Sequence, residues 1–178
     1  MYTVKVSQGN GNFHRIRFRD TNLGSTTSYG DSAKIFEINQ WGNTVWSSMN
    51  GAFSGCNNLD MLATDVPDLT ECSTMDSMFN SCQKLIGNSS MNSWDTSQIT
   101  NMTATFGGCR LFNQNISNWD TGNVTIMAIM FFLAEKFNQP IGNWNTSNVQ
   151  YMTAMFQNAK AFNQPIGNWD VGNVEEFE

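Results

Sequence analysis

FNQPIGNWD at residues 162–170, FNQPIGNWN at 137–145 and FNQNISNWD at 112–120 are variants of one nine-letter phrase, set 25 residues apart. A catalytic constellation is needed once, whereas a stretch copied at fixed spacing is expected to pack against its own copies. Alignment on tryptophan extends the grid: Trp94, Trp119, Trp144 and Trp169 follow one another at the same interval. Behind the first three come Met102, Met127 and Met152, then Phe106, Phe131 and Phe156, then Cys109, Ala134 and Ala159, then Phe112, Phe137 and Phe162. The grid reaches back with small slips through Met75, Phe79, Cys82 and Leu85, and through Trp41, Met49, Phe53, Cys56 and Leu59. Pro67 takes the tryptophan place of its repeat. The chain therefore divides into about five coils, the early ones a residue or two longer.

Within a coil, FNQPIGNW is expected to run extended, with Phe, Ile and Trp turned inward. The following DTSNV is a turn, because Asp or Asn can accept from backbone N–H groups two or three residues on. In NVQYMTAMFQNA, Val149, Met152, Met155, Phe156 and Ala159 recur at helical spacing. The expected fold is thus an α/β repeat solenoid, each coil a strand, a corner and a short helix. No coil buries its inner face alone, but stacking makes one continuous core. Stacked strands about 4.8 Å apart form a short parallel sheet. Asn113, Asn138 and Asn163 are then expected to form an amide ladder, and Gln114, Gln139 and Gln164 another.

The 178 residues suffice for one domain with a real core. A net charge of −6 argues against general attraction to nucleic acid. Charged residues make up 13%, roughly half the usual share, so the surface is built from neutral polar groups. No apolar run approaches the ~20 residues of a membrane helix. Met1 leads into YTVKV without a basic and then apolar leader, so no signal peptide is expected.

Chemistry-bearing residues are sparse. His14 is the single histidine, so neither a His-based triad nor a multi-histidine metal site is expected. It stands in HRIRFRD, where Ile16 and Phe18 alternate with Arg15, Arg17 and Arg19. That pattern reads as a half-buried capping strand with one cationic face, a face that either discourages edge pairing or contacts an anion or a partner. Cys56, Cys82 and Cys109 share a grid place that Ala134 and Ala159 fill later, so it is a small buried place. Cys72 occupies a valine place. A disulfide between stacked Cys56 and Cys82 stays open as an alternative, and without CxxC spacing no zinc site is expected. Asp68, Asp95, Asp120 and Asp170 recur after tryptophan or its substitute, interrupted by Asn145. A turn role is expected for them ahead of calcium binding. No catalytic residue, cofactor or metal ligand is assigned. The candidate partner contacts are the cationic Arg15, Arg17 and Arg19 and an apolar end face of Phe162, Ile166, Trp169, Val174 and Phe177. That face is edged by Glu175, Glu176 and Glu178. A second subunit or a following domain would dock on it, or the short tail would fold over it.

The stretches FNQPIGNWDVGNV, NWNTSNVQYMTAMFQNAKAFNQPIGNWD and ATDVPDLTECSTMDSMFNSC resemble the BspA-like leucine-rich repeats of bacterial surface proteins, in the variety with about 25 residues per repeat. The resemblance covers roughly residues 37–178. It implies a right-handed, leucine-rich-repeat-like solenoid exposed on a cell or particle, a role in adhesion or protein binding, and no reaction. In similar proteins an immunoglobulin-like module often precedes the repeats, so residues 1–36 are expected to be an N-terminal β cap or the remnant of such a module. The expected function is that of a non-enzymatic, surface-exposed binding protein, cell-surface or extracellular. A structural or decoration protein on the exterior of a virus particle is the alternative.

Overall fold

The computed structural model describes residues 14–18 and 32–176. Successive repeats are joined by backbone hydrogen bonds that recur at the repeat spacing. Parallel bridges, one residue ahead of each methionine place, link Thr74 to Asn101, Asn101 to Ile126, Ile126 to Tyr151 and Tyr151 to Glu176. From the methionine onward, alternate N–H groups donate into the next repeat. Met102 reaches the carbonyl of Ile126, Ala104 that of Ala128, Phe106 that of Met130 and Gly108 that of Phe132, at 2.6–3.0 Å. The N–H groups in between close local turns, Thr105 to Met102, Gly107 to Ala104 and Cys109 to Phe106.

This ladder corrects the expected short helix. An α-helix uses its N–H groups within its own segment, whereas here every second one leaves it. Within this ladder segment two residues per repeat adopt positive φ: Gly51 and Gly55, Ser77 and Ser81, Ala104 and Gly108, Ile129 and Leu133, Ala154 and Asn158. Each such residue interrupts a right-handed helical run. Among the described residues the helical elements are two short 3-10 turns, Ser32–Lys34 and Ser89–Ser93.

The strand expectation is corrected as well. Among the described residues regular pairing is confined to β1 (Glu37–Ile38) and β2 (Asp60–Met61), parallel, with Glu37 opposite Asp60. In the later repeats, where the same segment reads FNQPIGNW, side chains take over the linkage. Asn138 N–H donates to Asn113 Oδ1 at 2.8 Å, and Gln139 Nε2 to the same oxygen at 2.9 Å. One repeat on, Asn163 N–H and Gln164 Nε2 do the same with Asn138 Oδ1, both at 2.9 Å. The two separate amide ladders expected from the sequence are thus one mixed ladder, in which each Asn accepts from the Asn backbone and the Gln side chain of the next repeat. Pro140 and Pro165 lack the N–H that a backbone ladder needs there.

The core lies between repeats. Phe53, Phe79, Phe106, Phe131 and Phe156 form one column of stacked rings at 5.6–5.9 Å. Phe112, Phe137 and Phe162 form a second at 5.9–6.0 Å. Trp119 and Phe131, expected between coils, are 3% and 0% exposed. Burial of each such ring stabilises by about 1.5–3 kcal/mol. The indole N–H groups of Trp119, Trp144 and Trp169 each donate back to a carbonyl of the preceding repeat, that of Met91, Ile116 or Ile141. Buried hydroxyls of Thr96, Thr121 and Thr146 donate forward to the carbonyls of Asp120, Asn145 and Asp170 at 2.8–2.9 Å. All four cysteines are buried and free, so Cys56 and Cys82 are not bridged. The thiols of Cys82 and Cys109 donate to the carbonyls of Phe53 and Phe79. Burial pushes the Cys56 thiol up to about 12 and raises that of Cys109 further.

Candidate interaction surfaces

At the front of the array, residues 14–18 lie along the first repeat. The His14 carbonyl accepts from Ser47 N–H at 3.1 Å, and the His14 ring meets the Ser47 hydroxyl at 2.7 Å. Ile16 and Phe18 turn to the core while Arg15 and Arg17 stay exposed, as alternation requires, and His14, on the Ile16 side, is exposed as well. Phe18 packs 5.8 Å from Phe53. The Arg17 guanidinium donates to Asn50 Oδ1 and lies 3.1–3.5 Å from where a Gly51 Cβ would stand. Arg19, and most of the N-terminal segment 1–31, lie outside the described residues.

At the back, Phe162, Ile166, Trp169 and Val174 are half-buried, whereas their counterparts one repeat earlier, Phe137, Ile141, Trp144 and Val149, are buried. Phe177 lies outside the described residues. Residues 171–176 cover only the start of the last ladder: Glu175 N–H donates to the Gln150 carbonyl, and Glu176 bridges Tyr151. The Tyr151 hydroxyl donates to Glu175 Oε2 at 3.1 Å, and this partner holds the phenol above its usual range. Two members of the end face were not picked out from the sequence. Phe156 is half-buried in a column otherwise buried, and Val171, 41% exposed, stands where Thr96, Thr121 and Thr146 send a hydroxyl forward.

On the ladder face, Ile126, Ala128, Ile129, Tyr151, Thr153 and Glu176 line a shallow open groove of about 400 Å³. The bridge column that crosses it reads Thr74, Asn101, Ile126, Tyr151, Glu176: one backbone place with five different side chains. Sequence reasoning missed this column because it was sought as part of a helix.

The recurring acids are local turn fasteners. Asp68 Oδ1 accepts from the Thr70 hydroxyl and N–H, Asp95 from Ser97 N–H, Asp120 from Gly122 N–H and Asp170 from Gly172 N–H. Asn145 accepts from Ser147 N–H in the same way. Hydrogen bonds from the side chain and then the N–H of Thr70 and Ser97 hold Asp68 and Asp95 below the usual carboxylate range. Arg110, Glu135 and Lys160, one grid place in three repeats, form a column of alternating charge in which the two cations are exposed and Glu135 is half-buried. Among the described residues no three His, Cys, Asp or Glu side chains converge on a point where a metal could sit. Among them, too, no helix is long and apolar enough to cross a membrane.

A family model described as "Mycoplasma protein of unknown function, DUF285" matches residues 25–85, 47–127 and 73–178, three overlapping stretches that follow the repeats. No curated protein and no solved structure matches the chain.

Proposed function

From the premise that the chain belongs to the DUF285 family, whose function is unknown, we propose that it is a non-enzymatic, surface-exposed repeat protein for adhesion or protein–protein binding. Its repeats are read as a right-handed solenoid of the BspA-like leucine-rich-repeat kind, placed on the cell surface or outside the cell. The carrying observation is the contrast between columns. Phe, Trp and Asn columns repeat because each side chain must touch its own copy. The bridge column from Thr74 to Glu176 has the same backbone pairing in every repeat and a different side chain each time. A place freed from packing duty is where a partner can be recognised. The groove beside Tyr151 and Ile126 adds apolar surface of the kind found at protein contacts.

The test is saturable binding of the labelled chain to intact host cells and to a panel of matrix proteins and glycans. Expected is binding that excess unlabelled chain displaces. Tyr151→Ser and Ile126→Ser should weaken it at least about tenfold, as for central contacts, with melting unchanged. Binding to nothing on the panel, or binding indifferent to both substitutions, removes the proposal.

A further inference from the structure

One repeat departs from the others on its ladder face. Ile126, Ala128, Ile129, Phe132 and Leu133 occupy the half-buried places there. One repeat earlier the same places carry Asn101, Thr103, Ala104, Gly107 and Gly108, and one repeat later Tyr151, Thr153, Ala154, Gln157 and Asn158. An apolar row thus interrupts a face that is otherwise polar or without side chains. It lies on the flank of the stack, with a hydrogen-bonded repeat on each side: Gly108 N–H donates to the Phe132 carbonyl, and Leu133 N–H to that of Gln157.

Packing within the fold does not account for this row. Phe132 joins neither ring column, and Ile126, Ile129, Phe132 and Leu133 belong neither to the core nor to the half-buried side chains packed against it. Backbone preference opposes it. Ile129 and Leu133 hold φ of 51° and 57°, a region that β-branched and bulky residues rarely adopt. Their counterparts at positive φ are glycine, serine, alanine or asparagine. Strain of this kind persists only where the surroundings impose it, and it collects at binding sites.

The surroundings say what fits. Towards the preceding repeat, Gly107 and Gly108 place no side chain beside Phe132 and Leu133. Towards the next, Ile126, Ile129 and Tyr151 line the groove together with Glu176. The hydroxyls of Tyr151 and Thr153 donate to Glu175 and Glu176 at 3.1 and 3.3 Å and hold these two carboxylates beside the groove. Among the described residues no lysine, arginine or histidine pairs with either. An apolar row next to carboxylates without a cation is complementary to apolar side chains next to lysine or arginine. An acidic membrane surface, or a second copy with its own net charge of −6, brings more negative charge to the same place. We propose that Ile129, Phe132 and Leu133, with Ile126, anchor an apolar and basic segment of another protein, whose cation meets Glu175 and Glu176. The inference rests on the reading of this face as a protein-binding surface and names the chemistry of its partner.

The test sets stability against binding. Ile129→Gly and Leu133→Gly copy Gly51 and Gly108 and relieve the positive φ. Both should melt no lower than the unaltered chain and up to a few degrees higher, and Phe132→Ser should melt within about two degrees of it. The probes are short labelled peptides in which leucine and phenylalanine alternate with lysine, glutamate or serine, read by fluorescence anisotropy. The lysine set should bind at least about tenfold tighter than the glutamate set and lose that lead in high salt. Each of the three substitutions should weaken it about tenfold, and Glu175→Gln with Glu176→Gln should remove the preference for lysine.

A fall of several degrees for Ile129→Gly and Leu133→Gly would show that the row serves packing, and overturns the proposal. Binding of none of the peptide sets overturns it too, as does binding that ignores the substitutions. Self-association of the unaltered chain that Phe132→Ser abolishes, or a preference for anionic vesicles, assigns the row to another occupant and overturns it as well. The lysine peptides are also added to the cell-binding assay. Cell binding that neither they nor Leu133→Gly disturbs keeps the proposed function and removes the anchoring row. Peptide binding without any cell binding keeps the row and removes the adhesive role.

Discussion

The repeat that carries Phe131 and the repeat that carries Phe156 use nearly the same letters and reach different states. In the first, Phe131, Phe137, Ile141 and Trp144 are at most 4% exposed. In the second, Phe156, Phe162, Ile166 and Trp169 remain half-buried, although Trp169 keeps its indole bond to Ile141 and Phe156 its stack on Phe162 at 4.0 Å. The contacts inside a repeat and back to the preceding one are therefore nearly equal, and what differs is the neighbour on the far side. Burial in this molecule belongs to pairs of repeats.

The sharpest way to break that comparison is truncation in the shared column. Phe131→Ala should cost about 3–5 kcal/mol, as large core truncations do, and Phe156→Ala roughly half as much, read by denaturant unfolding. Equal losses would mean that the last repeat is covered in solution. Next comes a glycine pair. A Cβ on Gly142 would run into the Pro165 carbonyl oxygen, while one on Gly167 meets nothing within 4 Å. Ser117 shows that the place tolerates a side chain after a local shift, so Gly142→Ala should cost about 1–3 kcal/mol and Gly167→Ala under about 0.5. Third, Asn138→Ala removes the acceptor for Asn163 N–H and Gln164 and should cost about 1–2 kcal/mol. Asn163→Ala, with no described repeat beyond it, should cost under about 0.5.

The smallest effect concerns acid. Asp68 and Asp95 sit below their usual range in the fold. Their contribution is therefore present above the unfolded value of about 3.9 and is lost as pH falls through the lower folded value. Asn145 fastens the same turn without titrating. Asp68→Asn together with Asp95→Asn should therefore leave neutral stability nearly unchanged and flatten its decline below about pH 4. An unchanged acid limb would show that these turns do not couple to protonation.

How much of this was legible follows from what each side chain touches. The ring columns, the buried thiols and the Asp turns could be read because a side chain facing its own copy, or its own turn, leaves a mark at the repeat spacing. The ladder could not. Apolar residues three and four apart suit both a helix and a run of turns whose alternate N–H groups leave the segment. The decisive sign is positive φ, which Gly51, Gly55 and Gly108 hint at and which Ile129 and Leu133 conceal. The apolar residues Phe162, Ile166 and Trp169 were legible at their grid places, but the direction of the ladder was not, since no residue type records which way a peptide group points. The place of Arg17 over the first repeat was equally hidden, because it depends on how residues 14–18 cross a segment some thirty positions away.

The spacing of the rings has a geometric consequence. Equivalent rings in successive repeats are 5.6–6.4 Å apart, whether Phe on Phe or Trp on Trp. Hydrogen-bonded backbones lie about 4.8 Å apart. Equivalent points on similar units can be unequally spaced only if each unit is rotated against the last. Successive repeats are therefore turned against one another, and on the FNQPIGNW side Asn113 and Asn138 span the gap with side chains. Each added repeat adds its own turn, so the number of repeats sets the directions in which the first and the last face.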